Sequence, residues 1–233
     1  MKYLFILFSV ILISVSCHYI RGSGRIVTEK RATGDFRGIS VGGAFEVELK
    51  TGPVTEVIVE ADDNIISYIE TNVREGILRI STPGMNNFSD LHLKIFITAP
   101  LITDLTASAS ARLVTKDQLS SGNLLSFNAS SAGSISADID APEVEAGASS
   151  GASVSLTGRT KSYKATVSSG GSINTYDLLS ERTLARASSG GTVHVHASVE
   201  LDANASSGAT ISYRGAANVQ KTVSSGGNVE KGE

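Results

Sequence analysis

Serine is the residue type that most invites a chemical reading of this chain, because Ser-Ser-Gly recurs at 149–151, 168–170, 188–190, 206–208 and 224–226. A nucleophilic serine needs an adjacent base, a group that orients the base, and an oxyanion hole. The histidines are only His18, His92, His194 and His196. A nucleophile occurs once in a chain, whereas these serines occur in every copy, so the motif reads as structural. His194 and His196 stand two residues apart and so share one strand face, where neutral imidazoles suit a transition metal. Their neighbours one repeat away, Asn174 and Ser212, offer no good third ligand. They are a weak metal candidate on a solvated face, and no cofactor is expected. The remaining chemistry lies in Asp138, Asp140, Glu143 and Glu145, a small acidic strip. Glycoside-cleaving enzymes place two carboxylates roughly 5–9.5 Å apart across a cleft. This strip has no neighbouring Arg or Lys cluster and no aromatic platform, so it is taken as a candidate binding feature, with a polysaccharide hydrolase or lyase as the alternative function. Asp62 and Asp63 read more simply as a helix cap. The glycines precede strands and no helix N-terminus follows them, so they form no phosphate loop.

What must position these residues is a repeat. The heptapeptides begin at Ala107, Ala129, Ala148, Val167, Ala187, Ala205 and Val223, in steps of 22, 19, 19, 20, 18 and 18 residues. A fixed period near 20 marks a repeat architecture. The seventh column is Leu113, Ile135, Val154, Ile173, Val193, Ile211 and Val229, aliphatic throughout, and the first is Ala or Val throughout. A flexible linker has no reason to hold such columns. On either side of the motif apolar and polar residues alternate, as in Thr192–His196 and Glu143–Ala148. Period two means strands with one buried face. No helical stretch long enough for a βαβ crossover separates them. The expected fold is therefore all-β, a parallel β-helix or solenoid with rungs of about 18–22 residues. Glycines at the corner permit φ > 0, and the serines are small enough for a crowded corner.

Residues 25–100 are patterned differently. Strands are expected at 45–49, 56–61, 77–81 and 91–97, with a short helix within 62–73, and 39–47 resembles a degenerate corner. This broader section is expected to cap the coil and continue into the Ser/Gly-repeat section at 101–233 as one domain. The C-terminus ends within a rung and offers no cap, so its open edge is expected either to be guarded by Glu230, Lys231 and Glu233 or to be covered by a second copy stacking there as a homo-oligomer. The net charge of −3 with no basic cluster excludes a nucleic-acid partner.

The N-terminus carries Lys2, an apolar run from Leu4 to Val15, then Ser16 and Cys17. This is the layout of a secretory signal, and the run is too short to span a bilayer. Residues 1–16 are read as the signal peptide, and 17–24 as a lipidated cysteine with a flexible tether. Cys17, the only cysteine, resembles the acylated residue of a bacterial lipoprotein, although Ser14 stands where that pattern prefers Leu. The implied location is the cell envelope, on an outer membrane to which the lipid anchors the chain. The stretch after Cys17 lacks an acidic run associated with surface export, so the periplasmic side is preferred to the cell surface.

The openings Arg21–Arg31, Phe36–Gly52 and Val57–Ile80, followed by the Ser-Gly repeats, resemble the auto-transporter adhesin, head GIN domain family, a group of exported proteins common in Bacteroidetes-like bacteria. The resemblance spans roughly 22–230 and implies a β-helix-like fold on the cell envelope. It brings no functional residues. The expected function is a non-catalytic envelope lipoprotein whose surface binds glycan, envelope polymer or protein.

Overall fold

A computed structural model describes residues 20–83 and 88–232. The expected signal segment and Cys17 lie outside the described residues. In chain order the strands of the first section are β1 (Ile20–Arg21), β2 (Ile26–Arg31), β3 (Gly38–Gly42), β4 (Glu46–Thr51), β5 (Glu56–Asp62), β6 (Glu70–Arg74), β7 (Ile77–Ser81), β8 (Phe88–Ser89) and β9 (Leu93–Ala99). The coil continues as β10 (Asp104–Ser108), β11 (Arg112–Thr115), β12 (Leu119–Ser120), β13 (Leu125–Ala129), β14 (Ser134–Ala148), β15 (Ser153–Val167), β16 (Ser172–Thr175) and β17 (Leu178–Ala187). It closes with β18 (Thr192–His196), β19 (Glu200–Ala205), β20 (Thr210–Arg214), β21 (Asn218–Val223) and β22 (Asn228–Lys231). The architecture is the expected all-β solenoid of about 7 turns.

Two long faces run the length of the coil. The first stacks β3, β10, β13, the second halves of β14, β15 and β17, then β19 and β21, all parallel. The second stacks β4, β11, the first halves of β14 and β15, then β16, β18, β20 and β22. The seven aliphatics of the last heptapeptide column are buried inside. Each contributes roughly 1.5–3 kcal/mol before chain entropy is subtracted. Alanine fills much of the rest of the coil interior, including Ala146, Ala165, Ala185 and Ala203, and keeps the two sheets close.

The repeated corner is a two-residue turn. Its second residue accepts a hydrogen bond from the N–H of its fifth in all seven copies, for example Gly171 to Ser168 at 2.9 Å and Gly191 to Ser188 at 3.0 Å. The two central residues have positive φ, as in Ser169 (50°) and Gly170 (68°), the geometry of a type I′ turn. One expectation is corrected here. The positive φ falls on the second serine and the first glycine, while the second glycine has an ordinary φ and is needed for space. A Cβ on Gly171 would stand 2.7 Å from the carbonyl oxygen of Ala148 on the preceding rung. Successive corners also bond to each other, as Gly170 N–H does to Ser189 at 3.1 Å. The Ser-Gly columns are thus a continuous hydrogen-bonded ladder.

The segment 39–47 forms a rung of its own, with β3 and β4 paired in register to β10 and β11. Above it, β7 lies parallel on β3 and β9 parallel on β4. The antiparallel strands β6, β5 and β2 then close the top. The helix expected within 62–73 is not there. Asp62 ends β5, Ile66–Tyr68 makes a single 3₁₀ turn with no side-chain cap, and β6 begins at Glu70. Asp62 and Asp63 hold the incoming chain instead. Asp62, 1% exposed, accepts from the N–H of Gly24 (2.7 Å) and of His92 (2.9 Å). Asp63 accepts from Ser23 Oγ and pairs with Arg25. Ile20–Gly24 is therefore docked, with β1 on β8, rather than a free tether.

Candidate binding surface

A third, shorter face exists only in the middle of the coil. It consists of β12, Ile139–Ala141, Gly158–Thr160 and Leu178–Ser180, paired in succession. The next rung has no counterpart, because the β17–β19 register begins at Arg182 and Glu200. Here the rung shortens from 20 residues to 18. Outward from this panel point Ser120, Asp140, Arg159 and Leu179, one per rung. Burial alternation slips at Pro142 and Glu143, both turned outward, and the chain bends there from the third face to the first.

This bend overturns the acidic strip as one continuous feature. Asp138 lies on the second face, accepting from Gln118 Nε2 and Thr157 Oγ1, each at 3.1 Å. Asp140 lies on the third face, 2.5 Å from Arg159 Nη2. Glu143 and Glu145 lie beyond the bend, and Glu145 is 3.2 Å from Lys164 Nζ. Asp140 and Glu145 do have basic partners, one rung away. The Arg159 guanidinium holds the Asp140 carboxyl below its usual range, the opposite of what a glycosidase's general acid requires. Arg159 and Lys164 each follow their acid by 19 residues, the local rung length, so the period itself carried the signal.

Two grooves flank the ridge at Pro142. One, on the first face, has a volume of about 360 Å³ and holds Glu143, Glu145, Glu200 and Asp202 against Lys164 and Arg182. The other, on the third face, is larger, about 680 Å³. It runs over five successive rungs, from Ser121 to Ser198, and includes Asp140, Arg159, Lys161, Leu179, Glu181 and His196.

His194 and His196 share the second face, and their rung neighbours are Asn174 and Ser212 for the first and Arg214 for the second. The first of the two is engaged by an aromatic ring. His194 stacks on Tyr176 with centroids 4.9 Å apart and planes 6° from parallel. The Arg214 guanidinium lies 4.1 Å from the centre of the same tyrosine ring, and Tyr176 donates to Ser212 Oγ at 2.7 Å. Among the described residues no group of three or more His, Cys, Asp or Glu side chains is placed to hold a metal ion.

The family described as "Putative auto-transporter adhesin, head GIN domain" matches residues 35–217. The chain belongs to this family. Solved structures share its architecture. A putative adhesin from Bacteroides fragilis NCTC 9343 superposes with a TM-score of 0.82 at 19% identity, covering 91% of this chain and 99% of its own. A putative lipid binding protein from Parabacteroides distasonis ATCC 8503 gives 0.77 at 20% identity, with 93% and 100% covered. A putative adhesin from the same strain gives 0.72 at 19%, with 92% and 100% covered. At such identities the likeness establishes the fold. A comparison with curated proteins found no match. Membership in an adhesin-like family fits an extracellular or envelope-associated protein.

Proposed function

We propose that this protein is a non-catalytic lipoprotein of the cell envelope, anchored through acylated Cys17 and facing the periplasm. Its outward grooves bind glycan, envelope polymer or protein. The observation that carries the reading is the fate of the carboxylates. Asp140 is committed to Arg159, Glu145 to Lys164 and Asp138 to Gln118 and Thr157. Side chains so paired build a fixed polar surface, which suits recognition, and supply no unpaired acid and base across a cleft. The relatives' names as adhesins support the same class. One relative is described as lipid binding. In this chain the described interior is packed with Leu, Ile, Val and Ala side chains, so a surface reading is preferred to a lipid cavity.

The test is an array of envelope polymers and glycans probed with the full chain purified from membranes in mild detergent. Saturable binding to one class, weakened by substitutions in one groove, is the expected result. Turnover of a polysaccharide by the purified chain, abolished by Asp140→Asn, would sink the non-catalytic reading.

A further inference from the structure

We infer that the third-face groove is a binding site for a linear, uncharged glycan laid along the solenoid axis. The inference rests on the binding reading above and assigns its ligand and place. The first argument is position. A specific site needs unlike groups in succession, which a column such as Ser134, Ser153, Ser172, Thr192 and Thr210 on the second face does not offer, and it needs them confined to one place along the coil. That occurs on the third face, where the outward column reads Ser120, Asp140, Arg159, Leu179 and then stops.

The second argument is shape. Five rungs at a spacing of 4.7–4.9 Å give a groove about 19 Å long, open to solvent and running across the strands. Its volume of about 680 Å³ lies within the usual range of ligand sites. An extended chain of sugar rings fills such a trough. The anchor of a protein partner needs a deep pocket for an aromatic or arginine side chain, and this shallow groove provides none.

The third argument is the chemistry of the lining. Asp140 and Arg159 cancel, and so do Lys161 and Glu181, which carry one charge of each sign on the adjoining ridge. A groove of zero net charge gives a charged polymer no field to follow. The groove on the first face differs, with four carboxylates against two cations. Within the neutral groove, Arg159 uses one nitrogen on Asp140 Oδ2. Its other N–H groups and Asp140 Oδ1 have no protein partner among the described residues. Donors and an acceptor fixed side by side match adjacent sugar hydroxyls, each of which both donates and accepts. Leu179, one rung beyond Arg159, is 57% exposed, an apolar step for the C–H face of a ring.

The experiment measures binding of full chain in detergent to immobilised neutral hexose and N-acetylhexosamine oligosaccharides, with uronate-containing oligosaccharides as charged counterparts. Wild type is expected to bind a neutral oligosaccharide of four or more units. Leu179→Asp and Arg159→Ala should each weaken that binding at least tenfold, while Lys164→Ala in the other groove leaves it unchanged. All three side chains are outward, and a far-ultraviolet circular dichroism spectrum checks that each variant is folded. Binding to a neutral glycan that survives both groove variants overturns the site and leaves the binding reading standing. A preference for uronates overturns the neutral ligand. No binding of wild type to any glycan overturns this inference, and a protein partner then carries the broader proposal.

Discussion

At the scale of single residues, the corner separates two glycines that look alike in sequence. Gly190 has φ of 71° and nothing within 4 Å of a would-be Cβ. Gly190→Ala therefore pays only the left-handed backbone penalty, about 1–2 kcal/mol. Ala132 already adopts φ of 62° at the same column. Gly171→Ala instead drives a methyl against the Ala148 carbonyl oxygen, a backbone atom that can move only if the rungs part. Overpacking of this kind costs about 1–3 kcal/mol and interrupts the corner ladder as well. Urea unfolding should rank Gly171→Ala as the more damaging of the two; the reverse ranking would show that rung spacing yields easily. The repeat made the corner legible, because seven copies hold the same columns. The division of labour between the glycines was not legible, since the atom that crowds Gly171 belongs to a residue 23 positions earlier. The same reason hid the partners of the acids, which lie 19 residues on, while the slip at Pro142 turns Glu143 and Glu145 outward like Asp138 and Asp140 but onto another face.

At the scale of elements, the two ends of the coil are finished differently. The N-terminal end is joined by Glu48, whose carboxylate on β4 lies 2.9 Å from Lys94 on β9 and 3.2 Å from Lys116 beyond β11. The hydrogen bond from Lys94, with that from Lys116, lowers the Glu48 pKa despite partial burial. A lowered folded value means that the contribution is complete above the ordinary glutamate range and is lost as pH falls through the folded value. Wild type should thus lose more stability than Glu48→Gln on acidification, and urea midpoints from neutral pH to pH 3 should converge. Parallel curves would remove the clamp from the account. At the C-terminal end the inward column Phe127, Ala146, Ala165, Ala185, Ala203 finishes in Lys221. Its Nζ reaches the Val229 carbonyl at 3.2 Å and lies 5.3 Å from the centre of the Tyr213 ring. An inward-pointing charge is a known guard of open sheet edges. A second copy stacking on this rung would have to desolvate it, although Val223 beside it is 49% exposed. Lys221→Val should associate more strongly with rising concentration than wild type in sedimentation; an unchanged profile would show that something else governs the edge. The sequence pattern marked this rung as uncapped because nothing in it sets Lys221 apart as the residue that continues the inward alanine column; the register with Ala203 does. The helix expected within 62–73 failed for a similar reason. Asp62 and Asp63 have the composition of a cap, but burial against the incoming chain uses their carboxylates first.

At the scale of the whole molecule, the docked N-terminus fixes how an anchored chain would stand. Ile20–Gly24 is held at the capped end by β8, Asp62, Asp63 and Asn64. Between Cys17 and Ile20 the backbone spans at most about 11 Å. An acyl chain on Cys17 would therefore keep the cap against the bilayer surface and leave no slack for the solenoid to lie down freely. From β2 through β5, β9 and β4 to β22 the second face stacks eleven strands. At the spacing of adjacent strands this is about 48 Å, so in an anchored chain the far rung would stand well clear of the headgroups and the third-face groove would face sideways at mid-height. In vesicles carrying a headgroup acceptor dye, a label on Thr28→Cys in β2 should be strongly quenched and one on Ser225→Cys in the last corner only weakly. Cys17→Ser should abolish both signals by leaving the chain in the soluble fraction. Equal quenching of the two labels would mean that the coil lies along the membrane, and the groove would then have to recognise its ligand at the bilayer surface instead of in the space beyond it.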